Sequence, residues 1–505
     1  MLQPTKYTKD REHCATALLL IIATTTILIH HLISTRRISK LEQQLGCSKP
    51  RNESDRFRYD IIGIAKAFEL TYHFRRRSSL SYTNSLFRRY GDTYASNILG
   101  HRLIFTCSPQ NITHLLSTAF KDFDSSPLRK QLFEPITPHG VFTVDGIAWR
   151  KSREQLRGRL ANLQKSIDLE ECERHFQAFL QLVPSDGGVF DVQAATSALS
   201  FDLQTAFSLG ESVGSLRGFG ESKEKKAFFD DLRFIKDRIV NVGFRGPLRQ
   251  LIPRGGFLRA CKRVRGFAFA QISRQVQENN DLDGSRKAKL DLDKQQDEIA
   301  LRTDQALSIL LANDSMSTTL SVIFYCVSKD ERVARRLRES ILEAIGNTPP
   351  SWAQLGSLRY VRLVIFEALR LYPPVVLNGR FANKHSTLPK GGGSDGGSPI
   401  LIQKGDVVIF STWARHRLGE DFGAAPEEFR PERWEHLPKD IPGFIPFNKG
   451  PRICPGQQYA MVVLMYIVAR VFQTFDTVKD YNITPWTERI AMTFENENGV
   501  LVGLM

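Results

Sequence analysis

The sequence predicts a mainly α-helical protein with small β-sheets, preceded by one N-terminal transmembrane helix. Three observations lead there. Long helical patterns, at Phe201 to Phe269, Leu301 to Ser328, Val361 to Leu371 and Gln457 to Phe472, alternate with short apolar pieces such as Thr93 to Thr106 that suit strand pairing. No Pro/Gly/Ser-rich linker divides the 505 residues, so one large core is expected. Finally, Cys14 to Ser34 runs for 21 residues without Asp, Glu, Lys or Arg. At about 1.5 Å rise per residue it spans roughly the 30 Å hydrocarbon layer.

From the N-terminus, the divisions are a tail at 1–13, a membrane anchor at 14–34, a polar linker at 35–60 and a large domain at 61–505. A cleaved signal peptide is the alternative for 14–34, but the run is long and no small-x-small cleavage site follows. Lys6, Lys9 and Arg11 precede the span while Arg36, Arg37 and Lys40 follow it, so flanking charge does not orient it. The net charge of +15 suits an anionic membrane surface or an acidic partner. Its basic residues are spread along the chain without a nucleic-acid motif, so no nucleic-acid partner is expected. Seven cysteines, an odd number without paired spacing, indicate neither a disulfide framework nor a zinc site and fit a reducing compartment.

Within the domain, Ile112 to Phe120 reads as a helix, and Trp149 and Arg153 stand four residues apart, on one helical face. Phe201 to Phe269 is helical with scattered Phe, and Asn279 to Asp297 reads as a solvated loop before the helix Leu301 to Ser328. Val361 to Leu371 is apolar on most faces yet contains Glu367 and Arg370, which are buried only if paired. Pro373 and Pro374 end that helix. Leu388 to Pro399 is a Gly-rich hairpin tip, not a phosphate loop, because no helix start with Lys-Ser/Thr follows it.

The run Phe447-Asn448-Lys449-Gly450-Pro451-Arg452-Ile453-Cys454-Pro455-Gly456 places one cysteine in a Gly/Pro turn before an apolar helix, with a cation two residues upstream. Free N–H groups and the positive end of a helix dipole favour a thiolate there. Gly450 and Gly456 let backbone approach a flat ligand, while Phe447 shields the sulfur. Position for position, this run resembles the haem-binding motif of the cytochrome P-450 family, and similarity extends from about Thr93 to the C-terminus. The resemblance implies that fold for 61–505, with Cys454 as the axial haem ligand and Arg452, Trp149, Arg153 and Arg380 toward the propionates. It also implies a structural Glu–Arg–Arg network of Glu367, Arg370 and Arg433, the last from Pro431-Glu432-Arg433-Trp434.

The distal helix departs from the family's Ala-Gly-x-Asp/Glu-Thr, reading Leu311-Ala312-Asn313-Asp314-Ser315-Met316-Ser317. In one register, with a residue deleted, Asp314 is the proton-delivering acid and Ser315 the alcohol. In the ungapped register Ser315 takes the acid position and Met316 the alcohol. The activity implied is a haem-thiolate monooxygenase, with electrons passing from NADPH through a flavoprotein reductase and one atom of O2 entering an apolar substrate. The implied location is the endoplasmic reticulum membrane, single-pass, with the catalytic domain cytosolic. The sequons at Asn52, Asn111, Asn313 and Asn482 are then chance matches. Gly210 to Leu216, the Gly-rich tip and Phe447 to Ala460 look most like the fungal group oxidising alkanes and fatty acids, and secondary-metabolite oxidation is equally open. The alternatives are a haem-thiolate isomerase or dehydratase acting on a peroxide, or a non-catalytic haem protein.

Overall fold

The computed structural model of the chain describes residues 32–53, 60, 62–160, 162, 164, 167–243, 252–282, 292–438 and 440–505, with six isolated positions between Leu18 and Ile29. Of the anchor expected at 14–34, those six and residues 32–34 are helical, and the apolar ones among them, such as Leu18, Ile22 and Leu32, are exposed. The rest of that span and the tail 1–13 lie outside the described residues. Among the described residues, the one stretch long and apolar enough to cross a membrane is Gln295–Val327, and it is mostly buried inside the fold.

In chain order the domain begins with α1 (Ile64–Arg75) and α2 (Ser79–Tyr90), then β1 (Thr93–Ile98), β2 (His101–Thr106) and β3 (Phe123–Asp124). Helices α3 (Pro127–Phe133), α4 (Gly146–Leu160) and α5 (Leu169–Leu180) follow, then β4 (Phe190–Asp191). The long helices are α6 (Val192–Leu209), α7 (Lys223–Gly243), α8 (Gly255–Leu282), α9 (Leu292–Leu311), α10 (Asp314–Val327), α11 (Glu331–Ile345) and α12 (Arg359–Leu371). Next come β5 (Leu377–Ala382), β6 (Ser386–Gly392), β7 (Ser398–Ile402), β8 (Val407–Ser411) and α13 (Thr412–Leu418). The chain ends with α14 (Gln457–Thr474), β9 (Val478–Asp480), β10 (Glu488–Ile490), β11 (Phe494–Asn496) and β12 (Leu501–Leu504).

The strands form one five-stranded sheet in the order β1-β2-β8-β5-β3, a three-stranded sheet β4-β12-β9, and the hairpins β6-β7 and β10-β11. Pairing of Thr93 with Thr106 through Ile98 with His101 turns Thr93–Thr106 into the expected hairpin, and β8 then adds parallel to β2. The main apolar core joins α5, α6, α10, α12 and α14, and a second gathers α7, α8 and α9 around Phe228, Phe257 and Leu310. Local sequence explains the helices. In α11 the Asp330 carboxylate caps the Val333 N–H, Val333, Leu337, Ile341 and Ile345 bury one stripe, and Gly346 at φ +65° ends it. Each such side chain contributes about 1.5–3 kcal/mol by leaving water.

Five expectations need correction. The helix expected at Leu301 to Ser328 starts earlier and is broken. Bonds from Asn313 N to Leu310 O and from Met316 N to Asn313 O tighten the chain to three-residue spacing between α9 and α10. The loop expected at Asn279 to Asp297 is helical at both ends, through Leu282 and from Leu292. The linker 35–60 is not free of the domain: Pro50 and Asn52 bridge to Gly392 and Ala95, and Glu53 is buried against Lys66. Ile112 to Phe120 is not one helix, because a short helix ends at Thr113 and a five-residue turn, closed by Ala119 N to His114 O, follows. Most of Leu388 to Pro399 pairs as β6 and β7, leaving a tip at 393–397.

Candidate functional site

Beneath the cysteine turn lies a fully buried ionic network. Glu367 and Arg370, three residues apart on α12, are both 0 % exposed, and Arg433 is 4 % exposed. Glu367 accepts from Arg370 Nη2 at 2.8 Å, Arg370 Nε at 2.9 Å, Arg433 Nε at 2.7 Å, Arg430 N at 2.9 Å and Trp434 Nε1 at 3.0 Å. The remaining guanidinium hydrogens go to carbonyls: Arg370 donates to Pro426 at 2.6 Å and His416 at 3.1 Å, Arg433 to Phe422 at 2.6 Å and Glu428 at 3.0 Å. A buried charge is tolerated only when it is paired and its other hydrogen-bonding capacity is met, and both conditions hold here.

His416 of α13 carries this rigidity to the cysteine turn. Its Nδ1 lies 3.0 Å from the Arg370 carbonyl and its Nε2 accepts the Ile445 N–H at 3.1 Å. Nδ1 therefore holds the proton. Burial, with Arg370, Arg417 and Arg415 nearby, keeps the imidazole well below its usual pKa and so neutral. From Ile445 the chain folds back, and the Cys454 N–H donates to the Phe447 carbonyl at 2.8 Å. Phe447 itself packs on the main core. Gly450 sits at φ +68°, where a Cβ would collide with the Leu116 carbonyl, so only glycine fits. At Gly456 a Cβ would meet nothing but the Cys454 sulfur, at 4.0 Å.

Cys454 keeps accessible surface, yet the protein packed around it raises its thiol pKa by desolvation. The Gly456 N–H and the Arg153 charge pull that pKa back down. Trp149 and Arg153 lie four apart on α4, 7 % and 9 % exposed, and the Arg452 guanidinium stacks over the Trp149 ring at 4.5 Å. Arg452 also donates to Asp145 at 2.5 Å, and Asp145 accepts the Ser125 N–H at 3.0 Å. Arg380 of β5 is 2 % exposed and spends one nitrogen on its neighbour's carbonyl, Gly379 O, at 2.8 Å.

These arginines are short of partners. The buried Nε atoms of Arg153, Arg380 and Arg452 have no acceptor. Burial, then repulsion from Arg129 and Arg452, pushes Arg380 down to about 9, and burial with Arg452 pushes Arg129 down to about 10. A group bringing two carboxylates would relieve this, and the bare Gly456 and the accessible thiol leave room for a flat one. Arg129, on α3 against Phe142 at 5.2 Å, was not found from the sequence, because nothing local marks it. His416 was missed for the same reason.

The distal residues are placed differently. Every residue from Leu311 to Val327 is buried except Ala312, Asp314 and Ser315. Met316 is 3 % exposed and packs in the main core, whereas Ser315 Oγ donates to the Ala312 carbonyl at 2.9 Å. Asp314 points to α7, where Lys236 Nζ lies 2.7 Å and 2.9 Å from its two oxygens. Ser317 and Ser321 turn the other way, toward Thr196 of α6.

The sequence model of the family described as Cytochrome P450 matches residues 64–493. Cytochrome P450 monooxygenase himC of Aspergillus japonicus is 34% identical over 88% of this chain and 81% of its own length. Cytochrome P450 monooxygenase fsdH of Fusarium heterosporum is 32% identical over 91% of this chain and 83% of its own. Cytochrome P450 52A12 of Debaryomyces hansenii is 33% identical over 90% and 91%. That family carries haem bound through a cysteine thiolate and works with O2 and NADPH-derived electrons. An accessible sulfur inside the fold and unmet arginine donors around it are what such a group needs, and with the match covering most of the chain, this protein belongs to the cytochrome P450 family of haem monooxygenases.

Proposed function

We propose that Cys454 is the proximal haem ligand and that the enzyme oxidises an apolar C–H bond of a fatty-acid-like or secondary-metabolite substrate, with electrons delivered from NADPH by a flavoprotein reductase. The single observation that carries this reading is the exposed Cys454, with the buried Nε atoms of Arg153, Arg380 and Arg452 lacking acceptors. The haem, when bound, supplies activation of O2, and a thiolate ligand favours that chemistry. The chain's own residues do the rest. Arg129, Arg380, Arg452 and Arg153 take the propionates, Trp149 shields that corner, and the Glu367–Arg370–Arg433 network with His416 preorganises the turn that presents the sulfur.

On the other side, Asp314 and Ser315 hold and pass protons at the break between α9 and α10. Their retained surface, beside a buried Met316, supports the register in which Asp314 is the acid and Ser315 the alcohol. For the reductase, α4 offers the exposed cations Arg150, Lys151 and Arg157 on the helix that also carries Arg153. A location on the endoplasmic reticulum membrane, catalytic domain cytosolic, is supported by the apolar run 14–34 and by α1. There Ile64, Phe68 and Tyr72, four residues apart, are 48%, 72% and 55% exposed, and Arg75 and Arg76 follow.

The test is spectroscopic, then catalytic. The reduced carbonyl complex should show the red-shifted Soret band of thiolate ligation, and Cys454→Ala should abolish it. An intact band in Cys454→Ala sinks the ligand assignment. A screen of long-chain and polycyclic apolar compounds for haem spin-state shifts, followed by reductase-dependent NADPH oxidation, identifies the substrate class. Turnover of a peroxide without reductase, and none with it, would replace the monooxygenase reading by an isomerase or dehydratase.

A further inference from the structure

Asp304 of α9 is 0 % exposed and belongs neither to the Glu367 network nor to the groups around Cys454. A carboxylate so enclosed needs partners. Its Oδ2 accepts the His139 N–H at 2.7 Å, and its Oδ1 accepts from Arg265 Nη1 of α8. The same Arg265 nitrogen donates to the Ile136 carbonyl at 2.7 Å. Burial pushes the Asp304 pKa up, while the His139 N–H and the Arg265 charge pull it back. One carboxylate thus joins α9, α8 and the segment between α3 and α4.

That segment is tightly held along its length. Ile136, Thr137 and Thr143 are fully buried, the two threonine hydroxyls lie 3.1 Å apart, and the Gly140 and Thr143 N–H groups close successive turns on the Thr137 and Gly140 carbonyls. A Cβ on Gly140 would stand 2.6 Å from Ser308 Oγ, so the backbone lies directly on α9, and Ser308 in turn donates to the Asp304 carbonyl at 2.7 Å. The far end of the segment meets the cysteine turn. Arg452 donates to the Val141 carbonyl at 3.4 Å, to the Val144 carbonyl at 3.3 Å and to the Asp145 carboxylate. Midway, Phe142 packs on Arg129. Two arginines assigned to the propionates are therefore set by a stretch whose start is fastened to Asp304.

We propose that Asp304 is a positioning residue for the propionate arginines: by holding the His139 N–H and, through Arg265, the Ile136 carbonyl, it fixes residues 136–145, and these aim Arg452 and Arg129. This rests on the reading of those arginines as propionate partners. Asp304 acts through the segment and not on the haem. The Arg452 Nε is the atom left without an acceptor. It moves rigidly with the planar guanidinium, so any shift of the Val141 and Val144 carbonyls re-aims it.

Haem transfer from the full-length, haem-loaded protein to an acceptor protein, together with amide hydrogen exchange, tests this without relying on turnover. Asp304→Asn keeps an acceptor for the His139 N–H and removes the charge that Arg265 meets. It should speed exchange at residues 139–144 by about tenfold, as expected for a local opening made easier, while α14 stays protected. Haem transfer should quicken by about threefold, within the range of coupling carried by a packed network. Arg265→Gln removes the same contact from a partly exposed position and should do the same, which guards against a folding defect in the first variant. The double variant should transfer haem no faster than the quicker single one, because both break one contact. Unchanged exchange at 139–144 in both single variants overturns the proposal. So do additive effects of the two on transfer, or faster exchange with unchanged transfer when Arg452→Gln does quicken it. If Arg452→Gln leaves transfer unchanged, it is the propionate reading that fails, and exchange still reports whether Asp304 holds the segment.

Discussion

The network beneath the Cys454 turn and the break between α9 and α10 satisfy their polar groups in different ways. On the proximal side Glu367 is fully buried and accepts five hydrogen bonds, and the arginines it binds spend their other donors on fixed carbonyls. On the distal side the helix is interrupted, its acid is partly exposed, and its partner is one lysine on another helix. The first arrangement has one geometry and breaks all at once. The second can open locally, because a side-chain contact to a separate helix is lost without unfolding either. On the proposed roles of Cys454 and Asp314, rigidity sits where a ligand sulfur must not move, and adjustability where a proton has to.

That contrast can be broken by substitution. Glu367→Ala should have the largest effect. It strands two buried guanidiniums, which costs about 3–5 kcal/mol, so little soluble haem-loaded protein should accumulate. Normal yield and an unshifted thermal midpoint would show that the network is dispensable. Arg129→Ala comes next: losing one charged donor costs about 1.5–3 kcal/mol, read as faster haem transfer to an acceptor protein, with the folded apoprotein unaffected or slightly stabilised by relief of repulsion. Equal transfer rates would remove Arg129 from the haem site.

The third prediction concerns pH. His416 is buried neutral, with its folded pKa well below the unfolded value of about 6.5. Its contribution is therefore present above about pH 6.5 and is lost as pH falls, by about 1.4 kcal/mol per unit until the folded pKa is reached. His416→Gln has no such proton to take up. The denaturation midpoint of the parent should fall more steeply than that of His416→Gln between pH 6.5 and 5.5, and parallel curves would mean that His416 does not titrate on unfolding. The smallest structural effect is expected at the distal turn. Ser315→Ala should change stability by less than about 0.5 kcal/mol yet raise the peroxide released per NADPH. A well-coupled Ser315→Ala, together with Met316→Thr better coupled than the parent, would choose the other register.

Legibility in the sequence follows the same division. The cysteine turn, Glu367 with Arg370, and Arg433 each sit in a short motif that matches the family's, so the resemblance indicates them although Arg433 and Glu367 are far apart in sequence. Trp149 and Arg153 share one helix, but what singles them out is the resemblance to the family, since the spacing alone fits a half-buried Trp with an Arg beside it. Arg129, His416 and Lys236 are different, because each acts through a partner far along the chain: Arg452, Ile445 and Asp314. No periodicity encodes such pairs. The break at Asn313 was also hidden, because an apolar helical pattern continues on both sides of it and only the three-residue hydrogen bonds reveal the tightening.

Asn111 offers a last consequence. It lies in a glycosylation sequon, is 0 % exposed, and its amide donates to Thr93 Oγ1 at 2.9 Å and to the Lys390 carbonyl at 2.9 Å, tying β1 to β6. Asn313, in a second sequon, is 1 % exposed. A sugar attached to either side chain before folding would have to be accommodated where no space exists, so the first sheet could not close around Asn111 and the distal turn could not close around Asn313. Asn111 and Asn313 therefore carry no glycan in the folded protein. Two asparagines that do no chemistry thus make the closed packing of the first sheet and of the distal turn incompatible with modification at either side chain.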